Sequence, residues 1–163
     1  MRRIIRHALP FVATVLAAAG TAGAQTASQT VTFQVDAINQ IAVSAAAVSL
    51  TVNTATGGSA PTAATAATAT WAVTTNQTGS KITASIGSAM PAGLTLTVSL
   101  GAPTGGTSVG AQTLGTSSSD LVTGITKLNE SGLGISYSLT ATTAAGVVSS
   151  TSRTVTFTIT GGT

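Results

Sequence analysis

The sequence predicts an all-β fold, two antiparallel sheets packed as a sandwich, on three observations. Short runs alternate Val, Ile, Leu or Phe with Thr and Ser. Clusters of Gly, Pro, Asn and Ser separate the runs. The one Ala-rich stretch with helical potential, residues 54–68, is interrupted by Thr, Gly57-Gly58 and Pro61. Side chains on a strand alternate faces, so the runs read as half-buried strands. Their number, about eight to ten, and their spacing suit an immunoglobulin-like sandwich. The chain is 43% hydrophobic. Disordered segments lack enough apolar surface to bury, so the alternation argues for a folded chain.

The chain opens with a basic Met1-Arg2-Arg3-Ile4-Ile5-Arg6-His7, followed by an apolar run over residues 8–19 and by Ala22-Gly23-Ala24. That order of parts predicts a signal peptide over 1–24 and a single β-sandwich domain over 25–163. The apolar run is too short to span a bilayer, and no second one follows. The expected destination is therefore secreted: periplasm, cell surface or extracellular space, with no membrane span after signal removal.

Taken in order, Val31, Phe33 and Val35 alternate with Thr30, Thr32 and Gln34 in a first strand over 29–36. Ile41 and Val43 mark a second, and Val48, Leu50 and Val52 a third, before a long loop over 54–68. Trp71 and Val73 lie on a fourth. Asn76-Gln77-Thr78-Gly79-Ser80 turns the chain into residues 81–86, giving a hairpin with Ile82, Ala84 and Ile86 inward. Met90-Pro91-Ala92-Gly93 is a turn before Leu94, Leu96, Val98 and Leu100. A Gly/Pro/Thr loop over 101–110 precedes a short strand near 111–114. Residues 121–125 form a strand or a helical turn. The clearest pattern is at the end, over 132–160. Leu133, Ile135, Tyr137 and Leu139 form one arm of an expected hairpin, and Val155, Phe157 and Ile159, between threonines, form the other. Leu96, Val98, Ile135, Tyr137, Leu139, Val155, Phe157 and Ile159 should lie in the core.

Beyond residue 24 the cations are Lys81, Lys127 and Arg153 and the acids are Asp36, Asp120 and Glu130, so the charges cancel. Three scattered cations make no basic patch, which argues against nucleic acid as a partner. There is no Cys, and His7 leaves with the signal. Acid–base and nucleophilic catalysis need a titrating base beside the reacting group, and zinc or copper needs His or Cys. Calcium needs oxygen ligands clustered in a loop, and the three carboxylates are far apart. Asp120, after three serines, fits a turn or a helix N-cap. These residues predict a protein that is not an enzyme and holds no cofactor. Trp71 and Tyr137 are candidate ligand-face aromatics. They share parity with aliphatic neighbours, which makes them core residues with their N–H and O–H bonded at its edge.

The segment Ile82-Thr-Ala-Ser-Ile-Gly-Ser-Ala-Met-Pro-Ala-Gly-Leu-Thr-Leu-Thr-Val, with Asp120-Leu-Val-Thr-Gly-Ile and residues 135–159, resembles a recurring set of secreted bacterial β-sandwich proteins. More loosely the chain is similar to chaperone–usher fimbrial subunits and to WxL-type surface domains. It lacks the fimbrial disulfide, and Trp71-Ala72-Val73 stands where W-x-L would be. The resemblance carries over neither an activity nor a site residue. The expected function is that of a structural protein, a fibre subunit assembling by strand addition, with itself or other surface proteins as partner. Val31, Phe33 and Val35 would be the exchanged segment. Two alternatives stay open: the terminal strands close their own sheets, or the chain is a soluble binding module for glycans or other surface ligands.

Overall fold

A computed structural model of the chain describes residues 23–45 and 47–163. The signal peptide expected over 1–24 lies outside the described residues, except for Gly23 and Ala24. The chain falls into two units, residues 1–34 and 35–163. In the first, the described residues form neither strand nor helix and are exposed throughout.

The second unit is an antiparallel β-sandwich. Its strands are β1 (Asn39–Val43), β2 (Ala64–Thr75), β3 (Ser80–Ile86), β4 (Leu94–Leu100), β5 (Thr107–Ser108), β6 (Gln112–Thr113), β7 (Ser119–Ile125), β8 (Leu128–Ala141) and β9 (Val155–Thr160). One sheet has the order β1-β2-β8-β4-β6 and the other β5-β7-β3-β9. Ile82, Leu121, Val122 and Ile125 from the second sheet meet Trp71, Val73, Val98, Leu100 and Ile135 from the first in a sealed core. Bulges in the β2–β8 and β3–β7 ladders add local twist, which helps each sheet to curve over the core. Among the described residues no helix is long and apolar enough to cross a membrane.

Several expectations change in this fold. The stretch 29–36 carries no strand, and Val31, Phe33 and Val35 are exposed. Alternation fits a strand but does not provide one with a partner ladder. Residues 48–52 likewise lie outside any strand, although Val48, Leu50 and Val52 are half-buried and the residues between them exposed. The loop expected over 54–68 ends early, because β2 starts at Ala64.

Neither expected hairpin exists. β8 has both edges occupied, by β2 and β4, so β9 crosses to the other sheet and pairs with β3. β2 is flanked by β1 and β8, so the turn at 76–79 also carries the chain from one sheet to the other. Residues 121–125 are strand, and Asp120 sits in β7 opposite Thr83, where it caps no helix.

Candidate functional site

The site begins at the way the chain enters β1. Asn76, at the end of β2, donates from Nδ2 to the Asp36 carbonyl at 2.7 Å and accepts the Ile38 N–H on Oδ1 at 2.7 Å. Next to it the Asn39 Oδ1 accepts from the Thr75 hydroxyl at 2.7 Å and from the Ser80 hydroxyl at 3.3 Å. Thr75 and Ser80 are buried. A buried hydroxyl without a partner is costly, so this cluster fixes the backbone at residues 36–39 firmly. Before that point Phe33 is 88% exposed and Val35 79%.

At the other end of β1 the ladder stops abruptly. The Ser44 N–H donates to the Thr70 carbonyl, and the Ser44 Oγ accepts the Thr70 N–H at 2.9 Å. The side chain thus takes the place of a further backbone partner. β2 runs on to Ala64 with no strand on that side.

β9 is one edge strand of the other sheet, β5 being the opposite one, and β1 approaches it without joining its ladder. Gly87 donates its N–H to the Thr154 carbonyl, while Ile86 donates away from β9, to Gly115. Backbone groups alternate in direction along a strand, so Lys81, Thr83 and Ser85 face β9. They stand opposite Thr160, Thr158 and Thr156. The backbone groups of Val155, Phe157 and Ile159 therefore point to the open side, while their side chains stay half-buried against the core.

Between these two edges lies an apolar groove of about 380 Å³. Ala69, Leu96, Ile135 and Tyr137 form one wall, Val155 and Phe157 the other, and Val43, Val48 and Leu50 border it. The groove explains why Tyr137, Val155 and Phe157, expected in the core, are only half-buried. Leu139, which lines a second cleft, and Ile159 are half-buried too, whereas Leu96, Val98 and Ile135 are buried. Burial raises the Tyr137 phenol above its ordinary value of 10.0. Arg153, at the start of β9, also borders the groove and donates only to neutral oxygens, those of Ala89, Thr151 and Ser152.

The remaining candidates do not converge. Trp71 is 1% exposed, so it offers no face to a glycan, and its Nε1 is buried without a hydrogen-bond partner, against the expectation of one. Lys81 and Asp120 form an exposed ion pair at 2.9 Å, and Glu130 accepts the Thr104 N–H at 2.7 Å. Among the described residues no three of His, Cys, Asp or Glu come together. A larger cleft of about 700 Å³, at the loops carrying Leu50, Asn53, Thr142 and Val148, has no charged side chain in its lining.

The groove and the β9 edge were not legible in the sequence, because both depend on which strands pair. The available signals were the charge-poor, proline-free alternations at the two chain ends, 29–36 and 154–160. Neither a known family nor a curated protein nor a solved structure matches the chain.

Proposed function

We propose that this chain is a secreted, non-catalytic structural protein of the cell surface or extracellular space, which assembles with copies of itself by strand addition. The observation that carries this reading is the segment 29–36. It has the alternation of a sheet strand, it holds Val31, Phe33 and Val35 in solvent, and it belongs to no ladder. An apolar strand of this kind gains backbone bonds and burial only by joining a sheet edge, and an uncharged edge is poorly protected against that. β9, which carries no charge and no proline, is such an edge.

The test is the oligomeric state of the chain from Gln25, read by light scattering and electron microscopy across concentration. Assembly that is lost in Val31→Ser/Phe33→Ser is the expected result. A strictly monomeric wild type at high concentration refutes the reading. The alternative, a glycan-binding module, would draw on the uncharged cleft near Asn53 and Thr142, and it lacks the exposed aromatic pair it would need.

A further inference from the structure

We infer that the groove between the sheets is the acceptor for residues 29–35 of a second copy, entering antiparallel to β9, and that residues 47–53 are a provisional cover which this strand displaces. The inference rests on the strand-addition reading and goes further by naming the edge, the direction and the obstacle.

The edge follows from the backbone. Val155, Phe157 and Ile159 aim three successive sets of N–H and C=O groups away from β3; Val155 and Phe157 line the groove, and Ile159 lies beyond it, toward the end where β1 comes close to β9. A strand added there continues the ladder, and its inward side chains fall between the two sheets. Val31, Phe33 and Val35 have the matching period of two. In an antiparallel pairing centred on the two phenylalanines, Phe33 faces Phe157, Val31 faces Ile159 and Val35 faces Val155. All six side chains then share the buried face.

The direction follows from charge. Residues 25–36 contain a single ionisable side chain, Asp36, at their C-terminal end. The groove has one charged residue in its lining, Arg153, just before β9. Antiparallel entry brings these two ends together, and parallel entry separates them by the length of the strand. An Arg–carboxylate contact at the mouth fixes orientation more than it adds affinity.

The obstacle is residues 47–53. Val48 and Leu50 pack on the core and border the groove, with the half-buried alternation of a strand. Yet among the described residues no hydrogen bond ties 47–53 to either sheet. A segment held by a few apolar side chains, without a ladder, opens at small cost and belongs to the least stable part of a fold. It shields the groove in a single copy and gives way to a strand that brings both side chains and backbone bonds.

The absence of cysteine makes the test direct. Thr32→Cys or Gln34→Cys in one chain is mixed with Thr156→Cys or Thr158→Cys in another, all from Gln25. Disulfides between unlike chains are then identified by mass after mild oxidation. In the pairing above, Thr156 and Thr158 occupy non-hydrogen-bonded positions. Cα atoms there are about 4.5 Å apart, within the roughly 4.4–6.8 Å that a disulfide spans. Antiparallel entry predicts dominant crosslinks of residue 32 to 158 and of residue 34 to 156, so advancing the donor cysteine moves its partner back along β9. Partners that advance together refute the direction. Oligomers with no crosslink to β9 refute the acceptor and leave strand addition standing, whereas the absence of oligomers in wild type removes both. For the cover, Leu50→Ser should speed assembly roughly fivefold by weakening its hold. An unchanged or slower rate, with the variant's unfolding midpoint within error of wild type, refutes the role of 47–53.

Discussion

Truncating Phe157 to Ala probes the groove wall directly. A fully buried Phe→Ala change costs about 3–5 kcal/mol. Phe157 is only half-buried, and its β3 neighbour across the ladder is the small Ala84. About half the usual apolar area is thus lost from the single copy, and the expected cost is about 1.5–2.5 kcal/mol. Urea unfolding at a concentration where the protein is monomeric reads this as a lower midpoint with an unchanged slope. Under assembling conditions the same substitution should cost more, since a strand added to β9 covers the remaining face of the ring. A monomer loss above about 3 kcal/mol would mean a ring already sealed in the core, and the acceptor groove would fail with it. A loss under about 1 kcal/mol would place the β9 apolar face outside the core altogether.

Trp71→Phe should cost less than about 1.5 kcal/mol, because the cavity it leaves is offset by removing an indole N–H that is buried without a partner; Trp71→Ala should cost about 3–5 kcal/mol by the same denaturation assay. Gly93→Ala should lower the melting temperature by several degrees, an effect of about 1–3 kcal/mol. Gly93 has φ +76°, and a Cβ there would meet the Ala145 nitrogen and the Thr142 hydroxyl at 2.8 Å. Burial raises the Tyr137 pKa, so the unfolded chain loses its phenolic proton first. This contribution to stability is fully present below pH 10.0 and is lost as pH rises through the folded value. Tyr137→Phe should abolish that part of the alkaline decline, and ultraviolet titration of the wild type should place the phenol above 10.0. Neither a chelator nor a reductant should shift the melting temperature. No cysteine is present to reduce, and among the described residues no acidic or histidine cluster is there to release a metal.

The strand content was readable because alternation is a local property. Trp71, Ile82, Ala84, Ile86, Val98 and Ile135 all lie inward, as their parity requires. Pairing was not readable, since it is decided by which edges are already occupied. β8 looked like half of a hairpin with β9, yet its length lets it serve as the central strand between β2 and β4. Val48, Leu50 and Val52 carry the same alternation as β4 and have no ladder, and nothing in seven residues distinguishes the two cases. The segment 29–36 has a strand's pattern without a strand's partner. That mismatch is visible only when the sheets are known, and the proposed strand addition rests on it.

The crossing of both expected hairpins between the sheets has a consequence for how the chain reaches its native state. Only β1 and β2 are consecutive strands that pair with each other; every other ladder joins strands separated by at least one more. β2 and β8, whose ladder is the longest, lie on opposite sides of five intervening strands. Long loops must close before such ladders form, so folding belongs to the slow, non-local regime of milliseconds to seconds typical of all-β domains, roughly. The chain has no cysteine, so no disulfide shortens the search. On the secretion reading proposed above, slowness of this kind is useful on one side of the membrane and hazardous on the other. It keeps the polypeptide threadable before export, and it leaves Val31, Phe33, Val35 and the β9 edge accessible to other copies throughout the delay. A partner that shields these edges until the sandwich closes would act on folding yield well before it acted on stability.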